Sequence, residues 1–251
     1  MTGHRAAQVR IFPDIEALSR AAADFFVMRA RESIAGDGRF AVALSGGSSP
    51  KGLYSLLGSP PLRDAVPWRG VHCFWADERC VPPEHPASNY RLAREAFLSA
   101  VQLPDANIHR VRGEGAPDAA ARAYEEDLRR FFGGPGLPEF DLVILGAGED
   151  GHTASLFPGS PSLRETARLA LPVYLERPEL DRVTLTLPVL NHASHVLFLA
   201  TGRAKADIIS GILEEGNPRN HPAGLVRPGD GDVTWLIDRE AGGKLRRPVR
   251  A

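Results

Sequence analysis

Cysteine is scarce: Cys73 and Cys80 are the two in 251 residues. That is too few for a disulfide framework and suits a reducing compartment. An excess of either charge is missing as well. Lys and Arg total 30 against 31 Asp and Glu, for a net charge of −1, so no basic surplus exists to neutralise a run of phosphates. A general nucleic-acid binder is thereby excluded. Long apolar runs are absent too; Leu142 to Leu145 and Val196 to Ala200 fall far short of the roughly 20 residues that cross a bilayer. Met1 to Arg10 holds no apolar stretch of the secretory type. The expectation is a cytoplasmic protein that engages neither membrane nor nucleic acid.

What is present is a globular composition. Hydrophobic residues make up 43% of the chain, and 25 Gly with 21 Pro stay short of low complexity. No repeat and no linker divides regions of differing composition. The chain therefore reads as one domain over residues 1–251, with a core from about 9 to 238.

Short apolar runs alternate with segments of helical period, the pattern of βαβ units around a largely parallel sheet. Strands are expected at Phe40 to Leu44, Val71 to Trp75, Leu142 to Leu145, Leu169 to Tyr174, Val183 to Leu187, Val196 to Ala200 and Val233 to Ile237. Helices are expected at Ile15 to Ile34, Ser88 to Ala100, Asp118 to Phe132 and Ala204 to Leu213. The fold class is α/β. Gly133 to Gly136 and Gly216 to Gly231 read as loops, and Lys244 to Arg250 as a frayed, solvated terminus.

Ligands of open α/β sheets bind at the carboxyl ends of strands, and four such ends stand out. Ser45-Gly46-Gly47-Ser48-Ser49-Pro50 precedes an expected helix. Its glycines let backbone amides approach an anion and its serines add hydroxyls, so it suits a phosphate cradle; an ordinary strand-to-helix turn has the same composition. Asp77-Glu78-Arg79 is followed by Pro82, Pro83, His85 and Ser88-Asn89-Tyr90. Arg79 offers a fork to an oxyanion, although a surface salt-bridge cluster would look alike. Zinc through His72, Cys73, Cys80 and His85 fails the usual ligand spacings, which favours core cysteines.

The third end, Gly146-Ala147-Gly148-Glu149-Asp150-Gly151-His152, formally contains G-x-G-x-x-G, with Glu176 near the ribose-binding spacing. Glu149 and Asp150 would repel a pyrophosphate, and Pro158, Gly159 and Pro161 interrupt the helix that should follow, so a nicotinamide cofactor is not expected. Asp150 and His152 instead suit a carboxylate that orients an imidazole base, or a histidine that merely bonds its loop. At the fourth end, Lys205 in Thr201-Gly202-Arg203-Ala204-Lys205 could reach a phosphate or lie solvated on a helix flank.

The order and wording of these motifs resemble the 6-phosphogluconolactonase family. The matching stretches are residues 45–50, 75–91, 146–160 (GAGEDGHTASLFPGS), 182–191, 201–206 and 221–238. The resemblance implies a modified Rossmann-like, mostly parallel sheet with helices on both faces. It also implies hydrolysis of 6-phospho-D-glucono-1,5-lactone with no metal or organic cofactor. His152 would be the general base, supported by Asp150, and Arg79 would meet the substrate or its oxyanion. Ser45, Gly46, Gly47 and Ser48, with Lys205 and Arg182, would hold the phosphate, and Asp77 would line the substrate site. A sugar phosphate is the implied partner, and the chain would be a monomer or weak homodimer.

Small departures occur: Ser49 stands where Thr is more frequent, and Ala147 where Met is common. Glucosamine-6-phosphate deaminases carry similar motifs, but their DGH turn continues toward a glutamate, whereas His152 is followed here by Thr153 to Pro158. In that rival reading Asp77 would be the essential proton acceptor. A silent sugar-phosphate sensor would lack a catalytic group, and none is missing.

Overall fold

The computed structural model describes residues 7–176, 178–214 and 221–246. Nine strands run in chain order: β1 (Gln8–Phe12), β2 (Phe40–Leu44), β3 (Val71–Trp75), β4 (Asp77–Arg79), β5 (Leu142–Gly146), β6 (Ala170–Val173), β7 (Arg182–Leu185), β8 (His195–Ala200) and β9 (Asp232–Asp238). The helices are α1 (Ile15–Asp37), α2 (Ser48–Leu57), α3 (Leu62–Ala65), α4 (Asn89–Ala96), α5 (Pro117–Phe132), α6 (Leu187–Leu190), α7 (Ala206–Glu214) and α8 (Pro222–Leu225).

Six strands form one parallel sheet in the order β1-β9-β8-β5-β2-β3. Every residue of β2 is buried, as are Leu142 to Leu145 of β5. An unbroken apolar strand of this kind needs cover on both faces, which is why these segments show no alternation. From β2 the chain leaves toward β3, and from β5 it leaves toward β8, in the opposite direction. A crevice opens at such a divergence, at the carboxyl ends of β2 and β5.

Two of the expected strands do not join this sheet. Leu169 to Tyr174 and Val183 to Leu187 supply β6 and β7, which pair antiparallel with β4 in a separate three-stranded sheet, β4-β7-β6. The sheets meet at Ala76, whose amide donates to the Leu44 carbonyl at 2.8 Å and whose carbonyl accepts from the Leu185 amide at 2.8 Å. From behind, Glu125 of α5 clamps the small sheet, accepting from the Leu169 amide at 2.7 Å and from Arg168 Nη2 at 2.9 Å.

Helix ends follow local chemistry. Asp14 caps α1 by accepting from the Ala17 amide, and Ser88 caps α4 by accepting from the Arg91 amide. The expected helix to Ala100 ends at Ala96, and a separate 3-10 turn follows over Leu98–Ala100. The expected helix from Ala204 begins instead as a 3-10 turn, Arg203–Lys205, before α7.

The C-terminal segment corrects its expectation. Lys244 pairs with Asp207, the Arg246 amide donates to Glu214 Oε1 at 2.7 Å, and Leu245 packs against the core. These contacts dock residues 244–246 on α7; residues 247–251 lie outside the described ones, as do 215–220 of the expected late loop.

Candidate active site

A cavity of about 250 Å³ opens at the divergence of β2 and β5. One wall is the turn from β2 into α2. Ser45 is pinned there: its amide donates to Tyr54 Oη at 3.2 Å, its carbonyl accepts from Tyr54 at 2.8 Å, and its Oγ donates to the Ile144 carbonyl at 2.7 Å. Gly47 takes φ 102° as the N-cap of α2 and supplies no side chain to the first amides of the helix. Those amides, at Ser48 and Ser49, carry the positive end of the helix dipole toward the cavity and suit an anion. Ser49 Oγ lies 3.0 Å from Thr201 Oγ1, which ties this turn to the segment that carries Lys205. Burial presses the Lys205 ammonium below its ordinary value, and the Glu149 and Asp238 carboxylates oppose that shift. A bound dianion would act in the same direction as those carboxylates.

The opposite wall is the small sheet. Asp77 and Arg79 alternate with Glu78 along β4, so the first two line the cavity while Glu78 turns to the start of α4. Glu78 accepts from the amides of Asn89 and Tyr90 and from Ser88 Oγ, at 2.7, 2.8 and 3.0 Å. Across the ladder Arg79 is paired with Arg182 of β7, and both line the cavity. Like charges directly opposite each other are unfavourable in a sheet. Burial and then the Arg79 charge lower the Arg182 guanidinium, with Asp77 and Glu179 in opposition. The Nε atoms of both arginines are buried with no partner among the described residues, the signature of donors awaiting an acceptor.

The third element is the turn after β5. Thr153 Oγ1 donates to the Gly146 carbonyl at 2.8 Å, and the Gly148 amide donates to the His152 carbonyl at 2.8 Å, which folds the turn on itself. His152 Nδ1 then sits 2.6 Å from Asp150 Oδ1, and the His152 amide donates to the same oxygen at 3.1 Å. Burial pushes the Asp150 carboxyl up, but the bonds from the His152 amide and ring outweigh it and hold the carboxyl below the usual range. An ionised Asp150 places the ring proton on Nδ1 and leaves Nε2 as a lone pair. Gly148 makes room for this pair, since a Cβ there would lie 2.2 Å from His152 Nδ1 and 2.6 Å from Asp150 Oδ1. The imidazole also rests against Phe157, centroids 4.8 Å apart.

A family model described as glucosamine-6-phosphate isomerases/6-phosphogluconolactonase matches residues 13–235. The chain belongs to that family. It is 40% identical to the 6-phosphogluconolactonase of Synechocystis sp. over 245 residues, covering 96% of this chain and 99% of the relative. It is 38% identical to the human 6-phosphogluconolactonase over 250 residues, covering 96% and 94%. The solved structure of 6-phosphogluconolactonase from Trypanosoma cruzi superposes with a TM-score of 0.86 at 32% identity, covering 97% of this chain and 99% of that one.

For this family member the structure gathers the expected site residues in one place. Ser45, Gly46, Gly47, Ser48, Asp77, Arg79, His152, Arg182 and Lys205 all line the cavity, and Asp150 stands directly behind His152. The Ser45 hydroxyl proton is committed to the Ile144 carbonyl. Asn89, Ser155 and Glu149 were named within the sequence motifs but given no role in the site. Asn89 and Glu149 line the cavity, and Ser155 donates to Asp77 Oδ2 at 2.7 Å. Ala154 between them adopts φ 48°, a left-handed conformation unusual for a residue with a Cβ. Among the described residues no cluster of His, Cys, Asp or Glu is placed to hold a metal ion. His72 Nδ1 instead meets His109 Nε2 at 3.2 Å, and Cys73 is buried in the core.

Proposed function

We propose that the chain hydrolyses 6-phospho-D-glucono-1,5-lactone to 6-phospho-D-gluconate, the second step of the oxidative pentose phosphate pathway. The 2.6 Å contact between Asp150 and His152, on the rim of a cavity that also holds Arg79, Arg182 and Lys205, carries this reading. The names of the relatives agree with it. His152 Nε2 takes a proton from water as the oxygen attacks the lactone carbonyl, and Arg79 stabilises the tetrahedral oxyanion. Collapse breaks the bond between the carbonyl carbon and the ring oxygen, and the imidazolium returns its proton to that oxygen. A lactone is an activated ester, so a base and an oxyanion partner suffice.

The phosphate is held by Gly46, Gly47 and Ser48 of the turn with Lys205, and Arg182 completes the cationic lining; Ser45, whose amide and hydroxyl are spent on Tyr54 and Ile144, braces the turn instead of donating to the ligand. This remote grip supplies position and specificity. Asp77, the base that the amino-sugar chemistry of the family would require, already accepts from Ser155 at 2.7 Å and from Asn89 at 3.3 Å, which favours the lactone. The site draws on both sheets, in support of one catalytic domain. Among the described residues no helix is long and apolar enough to cross a membrane. We infer a cytoplasmic monomer or weak homodimer that meets a small sugar phosphate rather than nucleic acid; the names of the relatives support the sugar phosphate.

The test is a paired assay. Lactone generated in situ from glucose 6-phosphate should disappear faster with the protein, and glucosamine 6-phosphate should release no ammonia. His152→Ala should remove about 10²- to 10⁴-fold of the rate. Ammonia release without lactone loss would overturn the reading.

A further inference from the structure

Asn89 is the first residue of α4 and only 2% exposed. Its amide group is used at both ends. Nδ2 donates to the Asp77 carbonyl at 2.8 Å and to Asp77 Oδ1 at 3.3 Å, and Oδ1 accepts from Arg79 Nη1 at 2.9 Å. A carboxamide presents a donor and an acceptor on one small plane, which a buried carboxylate and a half-buried guanidinium on the same strand face require of whatever lies between them. Aspartate in its place would satisfy Arg79 and repel Asp77. Alanine would satisfy neither.

The second proton of Arg79 Nη1 goes to the Ala87 carbonyl at 2.8 Å, so Nη1 is saturated. Nε and Nη2, which share one edge of the guanidinium, are the donors without an acceptor among the described residues, and Nε is buried. Which edge of Arg79 is offered to a ligand is thus set by what occupies Nη1. Asn89 also abuts the phosphate turn: a Cβ on Gly46 would lie 1.8 Å from Asn89 Oδ1. One side chain spaces the arginine, the aspartate and the turn.

We infer that Asn89 is a positioning residue that holds Arg79 with its Nε and Nη2 edge turned to the developing oxyanion and keeps Arg79 from collapsing onto Asp77. The inference rests on the lactonase reading above. It requires Asn89 to act through Arg79 rather than through the fold at large.

The experiment measures kcat and KM for the lactone with the wild type, Asn89→Ala, Arg79→Ala, the double variant and Asn89→Asp, with a thermal melt of each. Asn89→Ala should lower kcat by about 10²-fold, the scale of an ångström of misplacement at the reacting atoms. KM should stay within about threefold, because the phosphate turn that Asn89 abuts is held by the bonds of Ser45 to Tyr54 and Ile144, which the substitution leaves in place. The double variant should be no slower than Arg79→Ala alone, since groups that act as a unit are not additive. Asn89→Asp retains the acceptor for Arg79 but sets a carboxylate against Asp77. The pair then shares a proton, and its activity should shift toward lower pH than the wild type.

Full additivity in the double variant would overturn the inference, as would an unchanged kcat in Asn89→Ala. Should Asn89→Ala fail to melt cooperatively, the near-isosteric Asn89→Asp decides, and a loss uniform across pH would mark a merely structural role. A wild-type chain that leaves the lactone intact would remove the function itself, an outcome distinct from all of these.

Discussion

Replacing Gly148 by alanine tests whether the placement of the Asp150–His152 pair, rather than its mere presence, sets the rate. The new methyl would start 2.2 Å from His152 Nδ1, where ordinary contact begins at 3.4 Å, so the imidazole must retreat by about 1.2 Å. Asp150 Oδ1, at 2.6 Å, is displaced as well. A retreat of this size costs about 10²-fold in kcat, and complete loss of the base bounds the effect near 10⁴-fold.

Stability should hardly change. Gly148 is not among the residues with positive φ, so alanine fits the backbone, and its lower unfolded-state entropy contributes about 0.4–1 kcal/mol of stability. The displaced side chains, 31% and 50% exposed, swing into water rather than into the core. Their exposed pairing is worth at most about 1 kcal/mol. The two effects nearly cancel, so Tm should stay within about 2–4 °C of the wild type. Hydrolysis of lactone generated in situ gives kcat, calorimetry gives Tm, and titration with 6-phosphogluconate reports whether the cavity is otherwise intact. A wild-type kcat in a folded Gly148→Ala protein would refute the argument that this geometry controls the reaction.

Three further outcomes are expected. Asp150→Asn preserves shape but no longer fixes the Nδ1 proton, and kcat should fall by about 10²- to 10⁴-fold with KM little changed in steady-state assays. Lys205→Ala should weaken 6-phosphogluconate binding by about 10- to 100-fold in calorimetric titration, the worth of a charge-assisted bond; equal affinity would place the phosphate elsewhere. His72 is lowered from 6.5 to about 4 by burial first, and then by His109 and Arg39. Between those values the unfolded chain binds a proton that the folded one refuses. That contribution to stability is complete above pH 6.5 and is lost as pH falls toward 4. Urea unfolding of His72→Phe should depend less on pH across that window than the wild type; parallel profiles would contradict this.

The buried parallel strands were legible because their apolar runs carry no alternation, and the two glycine-bearing turns because they close such runs. β1 was not, since Gln8–Phe12 lies at the sheet edge with an exposed, mixed pattern. β4 was not, since Asp77, Glu78 and Arg79 are all charged and read as a loop cluster. Had the strand been recognised, period two would have placed Asp77 and Arg79 on one face and Glu78 on the other. Asn89 stood inside a named motif without a role, because that role depends on the tertiary closure of α4 against that face. Assignment of β6 and β7 to the large sheet failed for a related reason: short apolar strands look alike whichever sheet they join.

Ala76 belongs to the hydrogen-bond lattices of both sheets, so the cavity is a seam between two separately braced bodies. The imidazole hangs from one lattice and the guanidinium pair from the other; Ala76, between β3 and β4, joins the two through the backbone, and Ser155 ties the histidine turn to Asp77 and Thr184 of the small sheet. A shift of the small sheet would change the gap between base and arginines only against the Ser155 bonds to Asp77 and Thr184, which hold that distance. The Glu125 clamp behind the small sheet is then a tuning point: a change there works against those bonds to adjust a distance in the reaction centre without deleting any group from it.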